Sequence, residues 1–165
     1  MDATSGNVRM RGVTSTRITR LIKAARGCVY DALIDPAAVA AWRFPAGMTC
    51  HVHEFDAREG GVLRVSLTYD AHERSGKTRG RTDTYHGRFV KLVRDELVVE
   101  VDEFETDDPA MRGEMTMTIT LSDVDGATEL VAMHDGLPTG VSPADNEIGW
   151  HEALARLAAH VESPG

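Results

Sequence analysis

Cysteine is scarce, long apolar runs are missing, and basic residues are outnumbered. Cys28 and Cys50 are the only cysteines in 165 residues, too few for a disulfide framework and without metal-ligand spacing. Cys28 falls among apolar residues of a predicted helix, where a free thiol packs as a small hydrophobe. No run approaches the roughly 18 consecutive apolar residues of a spanning helix. Residues 1–14 are polar with no apolar core, which excludes a secretion signal or anchor there. Lys and Arg number 18 against 26 Asp and Glu, a formal net charge of -8, whereas phosphate-backbone binding needs clustered cations. The Arg-rich stretches 9–20 and 77–81 are short and read as solvated tail and loop. A soluble, cytoplasmic protein with neither nucleic acid nor membrane as partner is expected.

Catalytic signatures are also wanting. There is no Gly-x-Ser-x-Gly elbow, no nucleophile signature at either cysteine, no Gly-x-Gly-x-x-Gly and no phosphate-binding loop. No internal repeat or low-complexity segment occurs.

What is present is a hydrophobic share of 42%, enough for one domain around one core. Residues 1–14 lack periodicity and are expected to be a disordered tail, leaving 15–163 as a single domain. Alternation predicts a first strand over 16–23. Val29, Tyr30 and Leu33 then mark a helix ending at Asp35-Pro36, and Ala37 to Trp42 forms a second short one. Strands follow at 49–56, 63–69, 83–93, 96–104, 114–122 and 127–136, separated by Gly, Asp and Pro turns. In the first of these, Cys50, Val52 and Glu54 alternate with His51, His53 and Phe55. Residues 70–82 are polar and read as a long exposed hairpin loop. Ser142-Pro143 caps a final helix on which Trp150, Leu154, Leu157 and Val161 form one apolar stripe. Gly149 inside that helix costs about 1 kcal/mol relative to Ala, which a close approach to the sheet or space for a ligand would offset.

Several motifs together carry a family resemblance: Asp35-Pro36 with Trp42, Asp56-Ala57-Arg58-Glu59-Gly60-Gly61, Gly87 with Phe89-Val90, Gly126-Ala127-Thr128, His134, and Gly149-Trp150 with Leu154 and Leu157. Over residues 15–163 the chain resembles the START-like (SRPBCC) helix-grip superfamily, and within it the activator of heat-shock protein 90 ATPase family. The resemblance implies an α+β, Bet v 1-like fold: a bent seven-stranded antiparallel sheet around a long C-terminal helix, with two short helices after the first strand. Glu59 departs from the apolar residue usual before the glycine pair. The eukaryotic co-chaperones of this family carry an additional N-terminal domain for which this chain has no room, so the family name is not carried over as a function.

A cavity between sheet and helix would bind a small apolar or amphipathic molecule. Its expected apolar wall is Leu63, Val65, Leu67, Tyr69, Met115, Met117 and Ile119, with adaptable methionines among them. The ligand would enter near Trp42 to Pro45, which includes Phe44, and the loop before Ser142; Trp150 would also contact it, and His53, His86 and His134 would be polar handles. His134 shares a strand face with Thr128, Leu130 and Ala132, so it faces the core if Leu130 does. His51 and His53, with His86 or His134, have the residue types of a tri-histidine metal site. No carboxylate or cysteine spacing supports it, and no metal or cofactor is expected. Two other classes stay open: a polyketide cyclase-like enzyme using His134, His86 or Tyr69 as proton carrier, and a chaperone-interacting module. A homodimer is a further open partner.

Overall fold

The computed structural model describes residues 14–70 and 82–162. The expected tail, apart from Thr14, and the expected hairpin loop, apart from Asp70 and Thr82, lie outside them. Strand β1 (Ser15–Ile22) buries Thr16, Ile18 and Ile22 by alternation. Helix α1 (Arg26–Ile34) buries Val29, Tyr30, Ala32 and Leu33. At α2 (Pro36–Trp42) the Asp35 carboxylate accepts a hydrogen bond from the Ala37 amide, and Pro36 occupies the first turn, where a missing N–H costs nothing. Strands β2 (Met48–Phe55), β3 (Val62–Tyr69), β4 (Thr82–Val93) and β5 (Leu97–Phe104) follow. A 3-10 turn at Pro109–Met111, where the sequence suggested a plain turn, precedes β6 (Met115–Val124), β7 (Ala127–Asp135) and the long α3 (Pro143–Glu162).

The strands form one antiparallel sheet in the order β1-β7-β6-β5-β4-β3-β2. Consecutive strands are neighbours throughout except β1 and β2, which sit at opposite edges. Helices α1 and α2 carry the chain from one edge to the other, and the curled sheet wraps them and α3. The stripe of α3 is buried as expected, with Leu154 and Leu157 at 0% exposure beside Ala153 and Ala158, and Trp150 and Val161 packed against the same core. Cys28 departs from its reading as a packed thiol: it is exposed.

Two bulges change what alternation alone implies. The β2–β3 register shifts between Val52 and Glu54, so one extra residue is accommodated and the following side chains change face. Phe55 therefore pairs with Leu63 and stacks edge-on against Phe89, with ring centroids 5.2 Å apart; it does not share a face with His51 and His53. A second shift lies between Phe89 and Lys91 of β4. There Glu59 accepts a hydrogen bond from the Leu92 amide at 3.0 Å. The neighbouring Gly61 is obligatory, because a Cβ there would lie 2.0 Å from the Asp56 carbonyl oxygen. Among the described residues no helix is long and apolar enough to cross a membrane.

Candidate functional site

Between the concave face of the sheet and the first half of α3 lies a cavity of about 670 Å³. Phe44, Pro45 and Met48 line it from the α2–β2 connection, and Leu67 and Tyr69 from β3. Phe104, Met115, Leu137 and Val141 close another wall, itself a small apolar cluster with Met111. Helix α3 contributes Ile148, Gly149, Trp150 and Ala153. Gly149 lies across from Pro45, to which an added Cβ would stand at 3.5 Å, an ordinary contact. Its absent side chain leaves space at the cavity and does not serve a close helix-to-sheet approach.

The remaining wall is polar and deeply buried. Arg43, the residue after α2, is 7% exposed and donates from both Nη atoms to the two carboxylate oxygens of Glu100, which is 1% exposed. Its Nη2 also stands 3.5 Å from Asp102 Oδ2. The guanidinium carbon lies 5.5 Å from the Tyr85 ring centroid and 5.7 Å from that of Trp150, so both aromatic faces meet the cation. Burial works to raise the Glu100 carboxyl, but Arg43 and hydrogen bonds from Arg43 and Asp102 hold it below its ordinary value. Burial and then the Glu100 charge push Asp102 well above the carboxylate range. Glu100, with the bidentate Arg43, is the ionised partner, and Asp102 keeps its proton. The Asp102 Oδ1 atom is buried without a hydrogen-bond partner. It rests over Gly87, where a Cβ would fall 2.1 Å away, which is why β4 carries glycine opposite Asp102.

His134 completes this wall. Asn146 of α3 accepts from Thr16 Oγ1 at 2.7 Å and its Nδ2 donates to His134 Nδ1 at 3.3 Å, leaving the imidazole proton on Nε2. The ring stands edge-on to Trp150, with centroids 6.1 Å apart. Burial, followed by the charge of Arg43, lowers the His134 pKa to about 4, so the ring is neutral at physiological pH. Burial likewise raises the Tyr85 phenol and pushes the Cys50 thiol up to about 11, which leaves no thiolate nucleophile there.

Of the residues singled out in the sequence, Phe44, Leu67, Tyr69, Met115, His134 and Trp150 line the cavity. The other seven lie elsewhere. Leu63, Val65, Met117 and Ile119 face the same side but are covered by the helices as core. Trp42 is 1% exposed, packed at 6.4 Å from Trp150, with its indole N–H donated to the Ala32 carbonyl. His53 and His86 belong to the convex face. His53 sits in the β2 bulge and bonds Ser66, while His86 alternates with the inward Tyr85 and bonds Glu105. The sheet therefore separates His134 from the other three histidines, and among the described residues no metal-binding group of three His, Cys, Asp or Glu forms. Arg43, Tyr85, Glu100, Asp102 and Asn146 were missed. Both faces of β5 carry valines, so alternation could not choose between them. The available signal was register, since Glu100 and Asp102 pair with the inward Met117 and Met115.

The sequence model of activator of Hsp90 ATPase homolog 1-like proteins matches residues 23–162. The chain belongs to this family. A crystal structure of a Chromobacterium violaceum protein is 33% identical, with a TM-score of 0.82 over 91% of this chain and 98% of that one. The fold recurs in a Rhodobacter sphaeroides protein at 24% identity (TM-score 0.74, covering 90% of this chain and 92% of that one). A family member from Silicibacter pomeroyi shares it at 21% (TM-score 0.71, covering 90% and 98%). No curated protein matches the chain. Family membership supports the architecture, and the site has to be argued from its own residues.

Proposed function

We propose that this family member binds a small apolar or amphipathic molecule in the cavity between the sheet and α3, as a binding protein and not a catalyst. The observation that carries the reading is the cavity itself. About 670 Å³ of space is walled by aromatic and aliphatic side chains, with polar groups that include Arg43, Asp83, Asp102 and His134 and, from α3, Asp145, Asn146 and Glu152; apolar walls with polar groups to orient a ligand are the make-up of small-molecule sites. His134 serves as one of those groups, held by Asn146 in a single tautomer. The reading includes a cytoplasmic protein, one folded unit over residues 15–163, and no nucleic-acid or membrane partner.

The test is thermal denaturation against a panel of apolar and amphipathic molecules, with turnover followed in parallel. A ligand present at about a hundred times its Kd should stabilise the protein by about 2.7 kcal/mol. Gly149→Leu, which pushes a side chain toward Pro45, should abolish that shift. If no panel member stabilises the protein, or the shift survives in Gly149→Leu, the cavity is not the binding site. Conversion of a stabilising ligand would assign the protein to the enzyme class instead.

A further inference from the structure

We propose that the bound molecule is a carbonyl compound whose oxygen is received by neutral donors of the sheet, the Tyr85 hydroxyl and the His134 Nε2–H. The inference rests on the binding reading above and narrows the ligand's chemistry. It follows from which polar atoms of the cavity wall are engaged and which are open.

Tyr85 on β4 and His134 on β7 both line the cavity. Tyr85 is 7% exposed, yet its hydroxyl has no hydrogen-bond partner among the described residues. The side-chain atoms there that are both sealed and unpartnered are Arg20 Nε, Asp95 Oδ1 and Asp102 Oδ1. Tyr85 Oη is not one of them, so the hydroxyl opens onto the cavity that the residue lines. The same holds for His134 Nε2. Asn146 gives its oxygen to Thr16 and its amide proton to His134 Nδ1, which leaves the imidazole proton on the open nitrogen. Burial keeps both rings uncharged, raising the Tyr85 phenol and lowering His134 to about 4. One strip of wall connects them: the Arg43 guanidinium carbon lies 5.5 Å from the Tyr85 ring centroid and 5.7 Å from that of Trp150, whose ring is 6.1 Å from His134.

A carbonyl oxygen has two lone pairs and no proton, so it suits either donor and asks the wall for no acceptor. Asp102 offers none, because its Oδ1 lies against Gly87. The surrounding charges favour a neutral head over an anion. Arg43 is answered by Glu100, and Asp83, Asp145 and Glu152 add carboxylates to the lining. Asp83 has an interaction of its own, and Glu152 accepts from the Ala46 amide at 2.9 Å. A ligand anion would meet these like charges. An alkylammonium would be drawn to them, but it carries no lone pair for the His134 Nε2–H.

Matched ten-carbon probes separate the cases: butyrophenone, butylbenzene, and the phenylbutylamine and phenylbutanoate of the same chain length, titrated into the whole protein at pH 7. Butyrophenone should bind about three- to tenfold tighter than butylbenzene, the size of a hydrogen bond or two gained by the oxygen. It should also bind tighter than either ion. If butylbenzene matches it, or the amine or carboxylate exceeds it, this inference falls while the binding reading stands. If none of the four binds, the binding reading fails and takes the inference with it. In the double variant Tyr85→Phe with His134→Phe the ketone-to-hydrocarbon ratio should fall to about one, and a ratio that survives in the folded protein overturns the assignment. If the double variant does not fold, Tyr85→Phe removes only an oxygen without a protein partner. That variant should lower the ratio by itself, and an unchanged ratio overturns the assignment equally.

Discussion

Asp102 is the residue whose chemistry depends most on its surroundings. A carboxyl raised above its unfolded value favours folding below about pH 4 and loses that contribution as pH rises through its folded value. At neutral pH the unfolded chain ionises Asp102 and the folded chain does not, so the wild type carries a penalty there. Asn is close to an isostere of the protonated acid: its amide can donate to Glu100 and its oxygen can face Arg43. Asp102→Asn should therefore be more stable than the wild type at pH 7, with the gain shrinking as pH falls toward 4. Urea denaturation across that window checks it, and equal stability at pH 7 would mean that Asp102 is ionised in the native state. None of this was legible in the sequence, where Asp102 is one of 26 acidic residues. Its surroundings come from Arg43, 59 positions earlier, and from Gly87 on the adjoining strand.

At the scale of elements, α3 combines a core face with a cavity face. Its second half is core, and Leu154 is fully buried. Leu154→Ala should destabilise by about 2 to 5 kcal/mol, the range for buried leucines, and a loss below about 1 kcal/mol in denaturant titration would remove that half of α3 from the core. Its first half faces the cavity, where Gly149 has room for a methyl group. Gly149→Ala should stabilise by up to about 1 kcal/mol through helix propensity; a loss instead would reveal a backbone need for glycine. The stripe that buries α3 was readable because a 3.6-residue period depends only on local geometry. The faces of β2 were not, because the bulge after Val52 depends on pairing with β3. His53 and Phe55, assigned to one face by alternation, point to opposite ones.

For the whole molecule, the Arg43–Glu100 pair joins the helical layer to the middle of the sheet: Arg43 ends α2, and Glu100 lies on the central part of β5. Arg43→Ala leaves Glu100 buried without its partner and should cost about 3 to 5 kcal/mol. Removing both, as Arg43→Met with Glu100→Leu, should cost much less than Arg43→Ala, and equilibrium unfolding of the two variants compares them directly. A single-variant loss under about 1 kcal/mol would show the pair to be solvated. By itself the sequence determined the element order, the antiparallel meander, the buried stripe of α3 and the inward face of His134. Each follows from periodicity, turn chemistry or a family motif carried within a short stretch of chain. Only the tertiary structure decided which inward residues are covered by helices and which remain open to the cavity. It alone assembled the polar wall, because Arg43, Tyr85, Asp102 and His134 meet through strand register and sheet curvature, and neither is encoded in any one segment.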